Sequence, residues 1–110
     1  MAYDEQLAQR IRDLVSGQAG LTEQKMFGGL AFLVGGNMAV AASGQGGILV
    51  RAAPDESTRL VETTGAELME MRGRAMPGWL RVDAADVRDD AELARWVELG
   101  TSYAGSLPAK

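Results

Sequence analysis

Arg72, Arg74 and Arg81 bracket Pro77-Gly78-Trp79, and no acidic residue falls between Glu70 and Asp83. Guanidinium groups beside an exposed aromatic can grip phosphate or stack on a base. With Lys25, these arginines form a candidate nucleic-acid-binding set. With Met76, the methionine placed best for exposure, the same segment is a candidate partner-binding edge: Lys25, Arg72, Arg74, Met76, Trp79 and Arg81. The plainer alternative puts Trp79 in the core and leaves the arginines solvated or paired with the acidic last helix. Three arginines are few against a formal charge of −4, and that balance argues against nucleic acid as the partner.

Other chemistry is scarce. The chain has no histidine and no cysteine, so it lacks the commonest general base, the commonest metal ligand and any thiolate. Ser16, Ser43, Ser57, Ser102 and Ser106 have no histidine to activate them. The acids are densest from Asp83 to Glu92, where a helix start explains them better than paired-carboxylate catalysis does. Gly28-Gly29 and Gly44-Gln45-Gly46-Gly47 lack the lysine and the following helix of a phosphate loop, and read as turns or bulges. No enzymatic activity, metal or cofactor is expected. A small-molecule binder would have to use carboxylates, arginines or backbone groups in a polar pocket at the sheet.

The elements that would position these residues follow from spacing. Tyr3 to Ser16 reads as an amphipathic helix with the stripe Leu7, Ile11, Leu14 and Val15, ended by Gly17. Leu21 to Lys25 is a polar approach. Three strands are expected next: Met26 to Val34 with a glycine break, Met38 to Ala42, and Ile48 to Ala52. Both faces of the first are apolar, so helices or a second copy of the chain should cover both. Pro54-Asp55-Glu56 opens a short helix ending by Gly65. Leu68 to Met71 is a strand, Arg72 to Gly78 a loop, and Trp79 to Asp83 another strand with Trp79 and Arg81 on one face. A last helix starts at Asp89-Asp90, with the stripe Leu93, Trp96, Val97, Gly100 and Tyr103. The fold class is therefore α+β, two-layer, with a mostly antiparallel sheet and the order α-β-β-β-α-β-β-α. The 110 residues make one domain, 1–110, with a core of about 3–104 and a fraying tail over 105–110. The six methionines read as core filling, with an adaptable binding surface as the alternative.

From Met26 to Val50 no residue is charged, yet seven glycines break the run into strand-length pieces; no membrane span is expected. The N-terminus is acidic where a signal peptide would be basic and then apolar. The absence of cysteine fits a reducing cytoplasm.

Met26-Phe27-Gly28-Gly29-Leu30-Ala31-Phe32, followed by Val34-Gly35-Gly36-Asn37-Met38, resembles the N-terminal domain of the TfoX/Sxy competence-regulator family. Gly73-Arg74-Ala75-Met76-Pro77-Gly78-Trp79-Leu80-Arg81-Val82 is a second similar segment, and Asp89-Asp90-Ala91-Glu92-Leu93 a third. The likeness spans about residues 3–104. It implies an architecture similar to secretion-chaperone-like folds, several of which dimerise. It also implies a bacterial cytoplasmic protein, without catalytic residues, that works through a protein partner, as a possible homodimer, in the regulation of DNA-uptake genes. Full-length members carry a second, helical domain, and these residues read as the first domain alone. The turn here is Gly35-Gly36-Asn37 where an Asp-Gly-Lys type is more usual.

Overall fold

The computed structural model describes residues 3–26 and 28–109; Met1, Phe27 of the first motif and Lys110 of the tail lie outside the described residues. Its elements are α1 (Glu5–Leu14), β1 (Leu21–Met26), β2 (Gly29–Val34), β3 (Asn37–Ala42), β4 (Ile48–Arg51), α2 (Pro54–Thr63), β5 (Glu67–Met71), β6 (Arg74–Val82), a 3-10 turn (Ala84–Val87) and α3 (Asp90–Ser106). The strands form one antiparallel sheet in the order β1-β2-β3-β4-β6-β5. The fold is α+β, as the patterning predicts.

The helices begin where their caps require. Asp4 accepts from the Gln6 and Leu7 amides at 2.9 and 3.2 Å, and Asp89 accepts from the Ala91 amide at 3.3 Å; such caps stabilise a helix start by about 1 kcal/mol each. Pro54 occupies the first turn of α2, where its missing N–H is no loss. All three helices serve one face of the sheet. Leu7, Ala8 and Ile11 of α1 and Leu93, Trp96 and Val97 of α3 pack with Phe32, Val40, Val50, Leu80 and Val82, and Leu60 and Val61 of α2 close the same core. In α1, Ala8 takes the place expected for Leu14, whose side chain is 45% exposed.

A second, smaller cluster forms on the opposite face from Ala31, Leu33, Met38, Ala41 and Leu49, and no helical residue belongs to it. No helix covers it; its five members are already buried within the single chain. Met26 packs in from β1 and Met69 and Trp79 from β5 and β6, so side chains from both margins of the sheet close over the small residues at its centre. That is why β2 and β3 are apolar on both faces.

Three expectations are corrected. Leu21 to Lys25 is a strand: β1 lies at the margin of the sheet with Thr22 to Lys25 exposed, and an edge strand wetted on both faces has no apolar alternation to betray it. The glycine break in the expected first strand is the β1–β2 turn, so four strands precede α2. Second, Arg74 to Gly78 belong to β6. Its pairing with β5 jumps from Leu68↔Leu80 to Met69↔Met76, so Pro77 sits in a bulge where its missing N–H costs no β5 ladder bond. Third, the tail is held: α3 runs to Ser106, and Asn37 Nδ2 donates to the Pro108 carbonyl at 3.0 Å.

Ser57 locks α2 to that bulge. Fully buried, its hydroxyl donates to the Pro54 carbonyl at 2.6 Å and accepts from the Gly78 amide at 2.9 Å. Ser57→Ala should leave a buried N–H unpaired and lower the unfolding free energy by about 1–3 kcal/mol, measurable by urea denaturation.

Candidate functional site

The candidate residues can be placed by the rule that directly opposed residues of an antiparallel pair share a face. Met71 opposes Arg74, Met69 opposes Met76, Arg51 opposes Trp79, and Leu49 opposes Arg81. All of them therefore stand on the helix-free face, with Trp79 and Arg81 on one side as their spacing predicts. Lys25 does not join them. It lies on β1 at the other margin and opposes Leu30, a member of the helix-side core, so its exposed side chain is on the helix side.

The hairpin joining β5 to β6 turns on two residues, Arg72 at φ 55° and Gly73 at φ 78°. Two successive positive φ values define the tight turn that suits the right-handed twist of two strands, and Asn-Gly or Asp-Gly is its usual sequence. Arg72 is the one non-glycine with positive φ among the described residues. Holding a long side chain there costs about 1 kcal/mol or more. Arg72→Asn should keep the turn and raise stability by up to about 1 kcal/mol, because Asn enters this region readily; thermal unfolding checks it.

Arg72 and Arg74 are exposed, and neither makes an ion pair among the described residues. Two of the three acids of the last helix are engaged elsewhere, Asp90 with Arg10 at 2.8 Å and Glu92 with Arg95 at 2.9 Å, and the third, Glu98, pairs with none of the arginines of the segment. Glu23 pairs with Arg12 at 2.7 Å, and that hydrogen bond holds its carboxyl below the usual glutamate value. The expected alternative, pairing of the arginine segment with the last helix, is therefore not what the structure contains.

Trp79 is half-buried against the smaller cluster, and its arginine is one that spacing does not reveal. The Arg51 guanidinium lies 4.6 Å from the Trp79 ring centre and 5.3 Å from that of Tyr103, and donates to the Gly78 carbonyl at 3.2 Å. This cation–π sandwich ties the end of β4 to α3 and to the β6 bulge. In the sequence Arg51 only marks the end of an uncharged stretch; the β4–β6 register brings it to Trp79. Trp79 is therefore a packing residue, and the exposed group is narrower than expected: Arg72 and Arg74, with Met71 36% exposed and Met69 and Met76 half-buried beneath them. Met71, rather than Met76, is the most open methionine among the described residues. Met26, Met38, Met69, Met71 and Met76 all fall on the helix-free face.

Of the buried hydroxyls among the described residues, Ser57 is spent on the α2–β6 lock and Ser43 accepts from the Gln45 amide. Among the described residues no three acidic side chains converge as a metal site. A cleft of about 490 Å³ lies open between α2 and α3, lined by Ala52, Ala53, Glu56, Leu99 and Tyr103 among others, and no candidate residue lines it. No helix among the described residues is long and apolar enough to cross a membrane.

No curated protein and no solved structure matches the chain. The family model described as the TfoX N-terminal domain matches it over residues 13–104. That span takes in all three segments of the resemblance: the β1–β3 region around Gly28-Gly29, the whole of β6 and the start of α3. By that match, over nearly its whole length, the chain belongs to the TfoX N-terminal domain family.

Proposed function

We propose that this chain is a non-enzymatic protein-interaction domain of the regulatory kind its family suggests, acting in transcriptional regulation in a bacterial cytoplasm. The observation that carries the reading is the β5–β6 hairpin, where unpaired Arg72 and Arg74 stand beside incompletely buried Met69, Met71 and Met76 at a margin of the sheet. Methionine surfaces repack around varied partners, and arginine is favoured at the centres of protein interfaces. The absence of histidine and cysteine supports a role without catalysis or cofactor.

Affinity capture from cells, with the chain as bait, tests this. A defined protein should be enriched by the native chain and lost with Arg72→Glu/Arg74→Glu, whose melting temperature should match that of the parent. Capture indifferent to the substitutions would contradict the reading. The same two unpaired arginines are the observation that favours a nucleic-acid contact. The charge of −4 and the separation of Lys25 from the arginines weigh against it. Gel-shift binding that weakens steeply between two salt concentrations would favour it.

A further inference from the structure

The two margins of the sheet differ. β1 presents Thr22, Glu23, Gln24 and Lys25, all exposed, the polar, charged dress that keeps an edge from pairing with another chain. β5 is bonded on one side only, to β6, and three of its five residues, Leu68, Met69 and Met71, are apolar. Met71 and Arg74 close a two-residue hairpin, and alternation along the ladder aims the Glu70 and Leu68 backbone groups away from β6. The charges beside this margin sort by face. On the helix-free face Glu67 stands across from Arg81, a complementary pair. Farther along that face come Met69 and Met71, with Arg74 across from Met71 and Arg72 in the turn beyond. Arg72 and Arg74 make no ion pair among the described residues, so this end of the face is cationic. The helix side carries Leu68 and the exposed Glu70.

We infer that this margin takes an extended segment of another protein as an added strand, antiparallel to β5 and reading acid, base, apolar in three successive residues. In strand addition the main-chain bonds supply affinity and alternate side chains supply specificity. Leu68 and Glu70 form the bonded pairs with the new strand, and Met69 and Met71 the closer non-bonded pairs, whose side chains touch. The apolar residue of the segment lies beside Met69. Its base lies beside Glu70 on the helix side, and its acid beside Met71 on the helix-free face. Arg72 flanks that acid from the turn. Arg74 stands one strand farther off, about 10 Å from the added backbone at the usual spacing, a gap that an arginine and a carboxylate side chain close together over Met71. No acid in this chain is followed directly by a lysine or arginine. The fitting segment therefore belongs to a different protein, not to a second copy.

The inference rests on the interaction reading and states the chemistry of the partner. Fluorescence anisotropy tests it, with the whole chain and a short labelled peptide of valine and threonine around a central glutamate, lysine and valine. The peptide should bind. Exchanging its glutamate and lysine sets like charges beside the arginines and beside Glu70, and should weaken binding about tenfold. Arg72→Glu/Arg74→Glu should weaken the parent peptide about tenfold as well, with thermal unfolding as the folding control. A methyl group on the backbone nitrogen of the peptide's lysine removes a ladder donor to Glu70 and should abolish binding. No binding, or binding indifferent to the exchange, to the arginine reversal or to the methyl group, would each overturn the inference. Protein capture that depends on Arg72 and Arg74 without any peptide binding would overturn it and leave the interaction reading standing. Peptide binding as described, with capture indifferent to the arginines, would support it and contradict that reading.

Discussion

Gly29→Ala is expected to lower the unfolding free energy by about 3 kcal/mol, the upper part of the range for an overpacked interior. A Cβ at this position would collide with the Ala42 carbonyl oxygen on β3 and press on the Gly44 amide. Both obstacles are backbone, so relief requires β2 and β3 to separate where every residue of both strands is buried. Gly28, at φ 75°, supplies the turn that brings β1 back alongside β2. The paired glycines of the first motif thus have separate duties, one for a backbone angle and one for a close approach. For a domain of this size such a loss lowers the melting temperature by about 10–20 °C. A Gly29→Ala protein with unchanged melting would show that this contact is not as close as described.

Phe32→Ala should be more damaging still, at about 3–5 kcal/mol by urea denaturation. Phe32 is fully buried on the helix side among residues of all three helices and the central strands. Removing its ring opens a cavity that the flanking strands cannot collapse into, because the same strands carry a second packed layer on their other face. Phe32→Leu, which keeps most of the volume, should cost about 1–1.5 kcal/mol. Typical domains have only about 5–15 kcal/mol in total, so Phe32→Ala is expected to bring the chain near its limit.

Both residues belong to the segment in which the family resemblance is densest, and both are structural. What was legible in the sequence is what depends on near neighbours. Asp4, Pro54 and Asp89 announce the helix starts, and Leu93, Trp96 and Val97 announce the buried face of α3. The apolar run from Leu30 to Val34 announces a strand covered on both sides. What was not legible depends on distant pairing. β1 is hidden because an exposed margin needs no hydrophobic period, and the β6 bulge because Pro77-Gly78 looks like a loop until β4 and β5 are laid beside it.

The candidate site divides along the same line. Arg72 and Arg74 stand out by local charge alone, and the structure keeps them exposed and unpaired. Lys25 was joined to them by charge, yet strand order and cross-strand partners put it at another margin and on another face. Of the two roles open to Trp79, core packing and service to the neighbouring arginines, register favours the first and sets Arg51 against its ring. The apolar covering of the second face could be recognised as necessary from β2, but not that Met26, Met69 and Trp79 of the same chain would provide it.

The central claim is that the working surface of this domain is the free margin formed by β5 and its turn, rather than the helical face or β1. Amide hydrogen exchange on the whole chain, compared between the free chain and the chain bound to the protein it captures, tests it most directly. Protection should rise on binding at Leu68 and Glu70 and stay constant in β1, α1 and α3. Protection that rises in β1 or the helices, or fails to rise in β5, would contradict it.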